Sequence, residues 1–404
     1  MSMCKQLINC RCGAWRIECC SCNKSSFLMK IPFMFTYILE FISDPLNFLY
    51  YLRSVDFSLK GLIIPQVIFT YENHRSILNI IHENGYHLRK LTVKFTRKYS
   101  TLLKSVFEKA DNLKYLDISK CSINLNLIRT SMGDRISNLH VLKLGKSKFI
   151  EESLSTFLKA AVNLVHLDVS SCKFVDKSLL NLSKTCEILN ISKTKVSEDT
   201  LSIILLRLKN LVSLNVKGLQ VNESLEHITE TCEVLDISKT NVSEETLNKV
   251  IPRLKELKSL KVEDLYVNTC LKDISDKCEL LNITNTLVSP DTLEFLLGEK
   301  NLKDVVFTHF KFIDPKGSIH SGYVCPSAFD SMDEECGVHG MREYNQWYRV
   351  FMNGFYGYGM NIGYELHKII TQKAGSTKVW YHTYIDVYHF EERSKCCEHH
   401  DYKY

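Results

Sequence analysis

The stretch CEVLDISKTNVSEETL, residues 232–247, has two near copies in the same chain. They are CEILNISKTKVSEDTL at 186–201 and CELLNITNTLVSPDTL at 278–293. The copies begin at a regular interval, because 232 − 186 and 278 − 232 both equal 46. A segment that recurs at a fixed period of this size is typical of a chain built from stacked, self-similar units.

Each copy predicts a short strand, a bend and a helix. In the copy at 232–247, Leu235 and Ile237 alternate with polar residues, which is the pattern of a strand with one buried face. Ser243 is followed by acidic residues, as at a helix N-terminus. Apolar residues then recur at helical spacing; they are Leu247, Val250, Ile251 and Leu254.

The strand pattern L-x-x-L-x-L, with Ile, Val, Phe or Cys allowed for Leu, extends the repetition far beyond the three copies. It begins at Leu88, Leu113, Leu139, Leu164, Cys186, Leu211, Cys232, Leu257, Cys278 and Leu302. The steps are 25, 26, 25, 22, 25, 21, 25, 21 and 24 residues, so long and short steps alternate from residue 164 onward. The near copies are therefore every second unit, and the duplicated element is a pair of units. A lone unit cannot bury its apolar side, but stacked units can.

These units resemble leucine-rich repeats, whose signature L-x-x-L-x-L-x-x-N/C-x-L has a period of about 20–29 residues. The ninth position carries Cys121, Cys172, Thr194, Thr240 and Thr286, with Leu219 and Leu265 in short units. This use of Cys and Thr is similar to the cysteine-containing, intracellular subclass. The resemblance covers about residues 88–310 and implies an α/β fold, a leucine-rich-repeat solenoid (horseshoe) of about ten repeats. A leucine side chain cannot hydrogen-bond the backbone groups at a bend, so the pattern does not predict the conformation of the bends in the short units.

The residues between the buried anchors should line the concave face of such a solenoid. We expect a protein partner there, since repeat arrays generally offer an extended binding surface. The candidate contacts are Tyr115, Asp117, Lys143, His166, Asp168, Ile188, Asn190, Asn215, Asp236 and Lys261. A solvated sheet face with no partner is the alternative. No titratable pair on this face is arranged like a catalytic acid and base, so the sequence does not predict an enzyme.

Composition limits the other classes of function. A formal charge of +5 over 404 residues is too mild for a concentrated nucleic-acid-binding face. The most apolar window, residues 27–52, contains Lys30, Glu40, Asp44 and Pro45, so it does not predict a membrane span. The first 22 residues hold six cysteines and no apolar run, which does not predict a secretory signal. The 16 cysteines are therefore expected to be reduced thiols in a cytoplasmic and/or nuclear protein.

Residues 27–87 predict a helical module ahead of the repeats. The segment is similar to a degenerate F-box, the motif that binds a Skp-type adaptor, and the resemblance assigns adaptor contacts to Ile31, Pro32, Leu39, Pro45, Phe48 and Leu49. The motif's valine falls one place late, at Val55, and its later tryptophan is absent near Ser58. The alternative is an N-terminal cap over the open end of the solenoid, which repeat arrays require.

The F-box resemblance implies a non-catalytic substrate receptor of a cullin (SCF-type) ubiquitin ligase. Such a receptor raises the effective concentration of its substrate beside a charged conjugating enzyme. Two alternatives remain: a repeat scaffold with no ubiquitin role, and an elongin–cullin receptor similar to the Zyg/Zer class.

The two ends of the chain are less informative. Residues 1–26 form a Cys-rich tail, in which Cys10, Cys12, Cys19 and Cys22 have a spacing that could supply four thiolates to zinc. A reactive, unstructured tail is the favoured alternative, so no metal or other cofactor is predicted. Residues 311–404 predict a small C-terminal α+β domain of unknown type, with a loop at 315–340, a helix at 341–351 and a strand from residue 378.

Overall fold

The computed structural model describes residues 66–69, 88–93, 100–122, 124–306, 309–313, 319–323 and 378–380. Its strands are β1 (Gln66–Phe69), β2 (Lys90–Val93), β3 (Tyr115–Asp117), β4 (Val141–Lys143), β5 (His166–Asp168), β6 (Ile188–Asn190), β7 (Ser213–Asn215), β8 (Val234–Asp236), β9 (Ser259–Lys261), β10 (Leu280–Asn282), β11 (Asp304–Val306), β12 (His309–Ile313), β13 (Ile319–Tyr323) and β14 (Lys378–Trp380). Within these ranges, β1 to β11 and then β14 form one parallel sheet of twelve strands. The first eleven strands follow each other in chain order.

One column of leucines sets the register of the sheet. Leu116 pairs with Leu142, Leu142 pairs with Leu167, and the column continues without a slip to Leu281 and Val305. Every side chain in this column is at most 1% exposed. A slip by one residue would turn all of them to solvent, so the burial of the column specifies the register.

The segments between strands are helices on one side of the sheet. The α-helices are α1 (Ser100–Lys109), α2 (Leu125–Met132), α3 (Glu151–Ala160), α4 (Glu198–Arg207), α5 (Glu244–Val250) and α6 (Pro290–Glu299). The 3-10 helices are Gly133–Asn138, Lys177–Asn181, Glu223–His227, Ile251–Arg253 and Thr269–Asp273. Neighbouring helices pack about 8–10 Å apart, whereas strands are about 4.8 Å apart. The array therefore bends with the sheet on its inner, concave side.

The alternation of long and short units has a structural cause. The long units carry α4, α5 and α6, and the short units between them carry 3-10 helices of 5 residues. A 3-10 helix rises about 2.0 Å per residue and an α-helix about 1.5 Å. A 3-10 helix thus covers a given depth with fewer residues than an α-helix does. The predicted pairing of units is confirmed, since each period of 46 combines one unit of each kind.

The bend after each strand depends on a left-handed residue at the eighth position of the repeat. Its φ lies between 56° and 77° in eight consecutive units, at Lys120, Lys146, Ser171, Lys193, Gly218, Lys239, Asp264 and Asn285. A threonine at the ninth position adds a hydrogen bond: the Thr240 hydroxyl donates to the Ile237 carbonyl at 2.7 Å. Leu219 makes no such bond, but its backbone N–H donates to the Val216 carbonyl at 3.1 Å. The short units therefore form the same bend without a polar ninth side chain.

The acidic residue at the start of each α unit bonds to the following 3-10 unit. The Glu244 carboxylate accepts from the backbone N–H groups of Asn268 at 3.1 Å and Cys270 at 3.2 Å. Glu198 makes the same kind of bond one repeat pair earlier. These N–H groups have no partner within a short helix, so the repeated Ser-Glu of the sequence has a structural role. Pro290 takes the place of the glutamate in the last copy.

The structure departs from the predicted elements at both ends of the array. β1 lies in the segment assigned to the helical module and adds a strand before Leu88. β13 lies in the predicted loop at 315–340, where it pairs with β12 in an antiparallel hairpin. β14 begins at the predicted residue but pairs in parallel with β11, so it extends the solenoid sheet. The segments 1–65 and 324–377 lie outside the described residues, together with the adaptor candidates and the terminal cysteines.

Candidate functional site

Two rows of side chains line the concave face. The central row is Tyr115, Val141, His166, Ile188, Ser213, Val234, Ser259 and Leu280, and the second row is Asp117, Lys143, Asp168, Asn190, Asn215, Asp236, Lys261 and Asn282. Seven strand spacings separate the ends of each row, or about 34 Å. All ten predicted contact residues lie in these rows, and nine of them are half-buried.

Asp236 is the exception, because only 9% of it is exposed. It was predicted to contact a partner, but the structure places it beneath its neighbours. In the same strand, Val234 of the central row is 37% exposed. In this unit the central row is therefore the accessible one.

The acidic and amide residues of the second row bind their own backbone. In each case the side-chain oxygen accepts from the N–H two residues later, as in Asp168 to Ser170 at 2.8 Å and Asp236 to Ser238 at 3.1 Å. The same bond is made by Asp117, Asn190, Asn215 and Asn282. Asp and Asn commonly form such local turns. The sequence carries the signal for this role, since Asp or Asn recurs just before most of the bends.

The later units carry an ion-pair cluster on this face. Lys217 Nζ lies 2.5 Å from the Glu263 carboxylate, and Lys239 Nζ lies 3.0 Å from it and 3.2 Å from Asp264. Burial raises the pKa of Glu263, but hydrogen bonds from Lys217 and Lys239 outweigh it and hold that pKa below its ordinary value. Lys217 and Glu263 close over Ser238, which is 0% exposed and whose hydroxyl has no partner among the described residues. The sequence analysis named none of these contacts.

The earlier units surround an aromatic ring with cations. Lys90 Nζ lies 4.6 Å and Lys143 Nζ 5.7 Å from the centre of the Tyr115 ring, within the range of cation–π attraction. Burial and the charge of Lys143 lower the pKa of His166, against the opposing effect of Asp168. The lowered pKa favours the neutral form of the His166 imidazole.

The unbroken leucine register, the left-handed bends and the outer helices together decide the fold. The chain folds as a leucine-rich-repeat solenoid. No family model and no curated protein matches it. Among solved structures it is similar to an internalin of Listeria monocytogenes, at 16% identity and a TM-score of 0.41, over 59% of this chain and 80% of that one. A leucine-rich-repeat protein of Leptospira interrogans is 15% identical with a TM-score of 0.39, over 62% and 74% of the two chains.

The solenoid offers little for chemistry in the part of the chain that the structure describes. No group of three or more His, Cys, Asp or Glu side chains there is arranged to hold a metal ion. Burial raises the pKa of Cys186 and of Cys232 to about 12, so these thiols are poor nucleophiles at neutral pH. No helix in the described ranges is long and apolar enough to cross a membrane.

We expect Asp236→Ala to destabilise the solenoid by about 1–3 kcal/mol, because it leaves the buried N–H of Ser238 without an acceptor. Asp236→Asn is the matched control, since it keeps the oxygen, and asparagine makes this bond at Asn190 and Asn215. Urea unfolding of the three proteins measures the difference. Equal losses for the two variants would show that the carboxylate charge, and not the hydrogen bond, is what matters.

Proposed function

We propose that this leucine-rich-repeat solenoid is a non-catalytic protein-binding module whose partner binds the concave face. One observation carries the proposal: the central row keeps an uninterrupted line of partly exposed side chains, six of eight being apolar, aromatic or histidine. Tyr115, His166 and Ile188 occupy its first half and Val234 its second. An apolar and aromatic centre framed by polar side chains is typical of a protein–protein interface.

A photo-crosslinking amino acid placed in the central row tests this proposal. Ser213 and Ser259 suit it, because both are half-buried and point to the concave face. Glu245, exposed on α5 at the outer surface, provides the matched control. We expect one and the same protein to crosslink from both serine positions and not from Glu245. Crosslinks from Glu245 alone would place the partner on the outer surface and refute the proposal.

The more specific proposal is that the protein is the substrate receptor of a cullin ubiquitin ligase in the cytoplasm or nucleus. It is supported by the F-box-like residues ahead of the repeats, which lie outside the described residues. Full-length protein and a Phe48→Asp, Leu49→Asp variant would be captured and probed for Skp-type adaptor, elongin and cullins. Adaptor and cullin lost in the variant would support the receptor. Elongin instead would favour the Zyg/Zer-like class, and neither would leave a scaffold.

A further inference from the structure

The two ends of the concave face differ in charge. In the first four units, the described residues 89–93, 114–120, 140–146 and 165–171 contain six cations and two carboxylates, or 6 − 2 = +4. The cations are Arg89, Lys90, Lys114, Lys120, Lys143 and Lys146, and the carboxylates are Asp117 and Asp168. In three later units, residues 233–239, 258–264 and 279–285 contain three cations and five carboxylates, or 3 − 5 = −2. The net charge thus reverses along the face.

The later units neutralise their own charges. Lys239 and Lys217 pair with Glu263, and Lys258 pairs with Glu233 at 2.7 Å. Side chains held in this way must break existing pairs before they can bind another charge. This end of the face is therefore a poor site for a charged ligand.

The cations of the first four units are not neutralised in this way. Within the described ranges, none of the six forms an ion pair, and both carboxylates already accept a backbone N–H. Lys90 and Lys143 are half-buried beside Tyr115. Partly buried charges are screened less by salt than exposed ones, so these two amines attract an anionic group more strongly than surface lysines do.

We infer that the partner presents an acidic protein segment to the first four units, with carboxylates opposite Lys90 and Lys143 and an apolar side chain on the central row. This inference rests on the proposed concave binding site and names the chemistry of what binds there. A polyanion with regularly spaced phosphates fits less well. It would bring negative charge over Asp117 and Asp168, whereas a peptide can place carboxylates opposite the amines alone and apolar groups beside Val141.

Fluorescence anisotropy of the full-length protein with short labelled probes tests the inference. The probes are a glutamate peptide of about six residues, in which glutamate alternates with an apolar residue and which spans about 20 Å when extended, a glutamine peptide with glutamine in place of each glutamate, and single-stranded DNA of similar reach. We expect the glutamate peptide to bind, more weakly as ionic strength rises, and the glutamine peptide not to bind. Tighter binding of the DNA, or no preference for glutamate over glutamine, would overturn the inference.

A pair of charge reversals locates the binding. Lys90→Glu with Lys143→Glu is expected to weaken binding of the glutamate peptide about tenfold or more, since rows of complementary charge become repulsive. The matched control is Lys109→Glu with Lys159→Glu, which makes the same change in net charge at exposed positions of α1 and α3. Equal weakening in both pairs would show that only net charge matters and would refute the assigned site.

The crosslinking experiment separates this inference from the proposed function. A partner that still crosslinks at Ser213 and Ser259 in the Lys90→Glu, Lys143→Glu variant, with undiminished yield, would leave the concave site in place and overturn the acidic segment. Crosslinking lost in this variant and kept in the Lys109→Glu, Lys159→Glu control would support both. A glutamate peptide that binds through Lys90 and Lys143, while no protein crosslinks to the central row, would refute the proposed function alone.

Discussion

Replacing Leu214 by aspartate is expected to unfold the central repeats, whereas aspartate at Ser213, one residue earlier, should leave them folded. Leu214 is 0% exposed and lies in register between Leu189 and Leu235. A carboxylate there has no partner, and the effective penalty for such a buried ion is several kcal/mol. The free energy of unfolding of a domain is only about 5–15 kcal/mol, so the substitution removes much or all of it.

Circular dichroism and urea unfolding of both variants measure this difference. Each repeat is stabilised mainly by contacts with its neighbours, so loss of the unit that contains β7 should weaken the repeats on both sides. Ser213 is half-buried on the concave face, and we expect Ser213→Asp to change the free energy of unfolding by less than about 1 kcal/mol. A folded Leu214→Asp protein with unchanged stability would contradict the assignment of the inner and outer faces of β7.

The fold was predictable because stacking imposes a strict rule on the sequence. Every unit must supply apolar residues at the same positions, or the column from Leu91 to Val305 would be interrupted. The alternation of step lengths was also visible, and in the structure it corresponds to an α-helix exchanged for a shorter 3-10 helix. What the period could not show was β13, or that the predicted strand at β14 would join the solenoid sheet, since neither belongs to the repeat.

The concave face was only partly predictable. The sequence places Asp236 on this face but does not show that it is buried. Nor does it show the ion pair between Lys217 and Glu263, which lie two repeats apart. No local pattern specifies that contact. The role of the second row in binding its own backbone was local, by contrast, and the recurrence of Asp and Asn before each bend was sufficient to predict it.

The near identity of the copies also has a physical explanation. In the opening stretch, Asp236 caps the strand, Thr240 bonds at the bend, Ser243 caps α5 and Glu244 bonds to the next unit. The repeated residues are therefore those that shape the bend and helix start of each unit and, through Glu244, bond it to the next unit. Positions that differ between copies, such as Ile188 and Val234 of the central row, are where partner specificity can be encoded.

Raising the pH above about 9 should destabilise the solenoid steeply, because several buried thiols must stay protonated in the folded state. Burial raises the pKa of Cys172 and Cys278 to about 11 and that of Cys186, Cys232 and Cys270 to about 12, from an ordinary value of 9.0. Between pH 9.0 and the folded-state pKa values, the unfolded chain releases thiol protons that the folded chain retains. The free energy of unfolding therefore falls as pH rises. At pH values below the ordinary thiol pKa, the stabilisation from the buried thiols is fully present. It is lost progressively as the pH rises to the folded-state pKa values.

The expected slope is large. Each thiol contributes at most about 1.4 kcal/mol per pH unit within this window, so five together give at most on the order of 7 kcal/mol per pH unit, comparable with the whole stability of a domain. Urea unfolding between about pH 8 and pH 10.5, with a reductant present, measures the slope.

A variant with Cys186→Leu, Cys232→Leu and Cys278→Leu provides the control, since leucine holds the equivalent anchor position in the other seven repeats, as at Leu211 and Leu257. Its slope should fall by about three fifths, to roughly 3 kcal/mol per pH unit, because only Cys172 and Cys270 of the five remain. Titration of lysines and tyrosines is common to both proteins and cancels in the comparison. If the two slopes are equal, the thiols are not the groups that limit stability at high pH, and the anchor cysteines must reach solvent in the folded state.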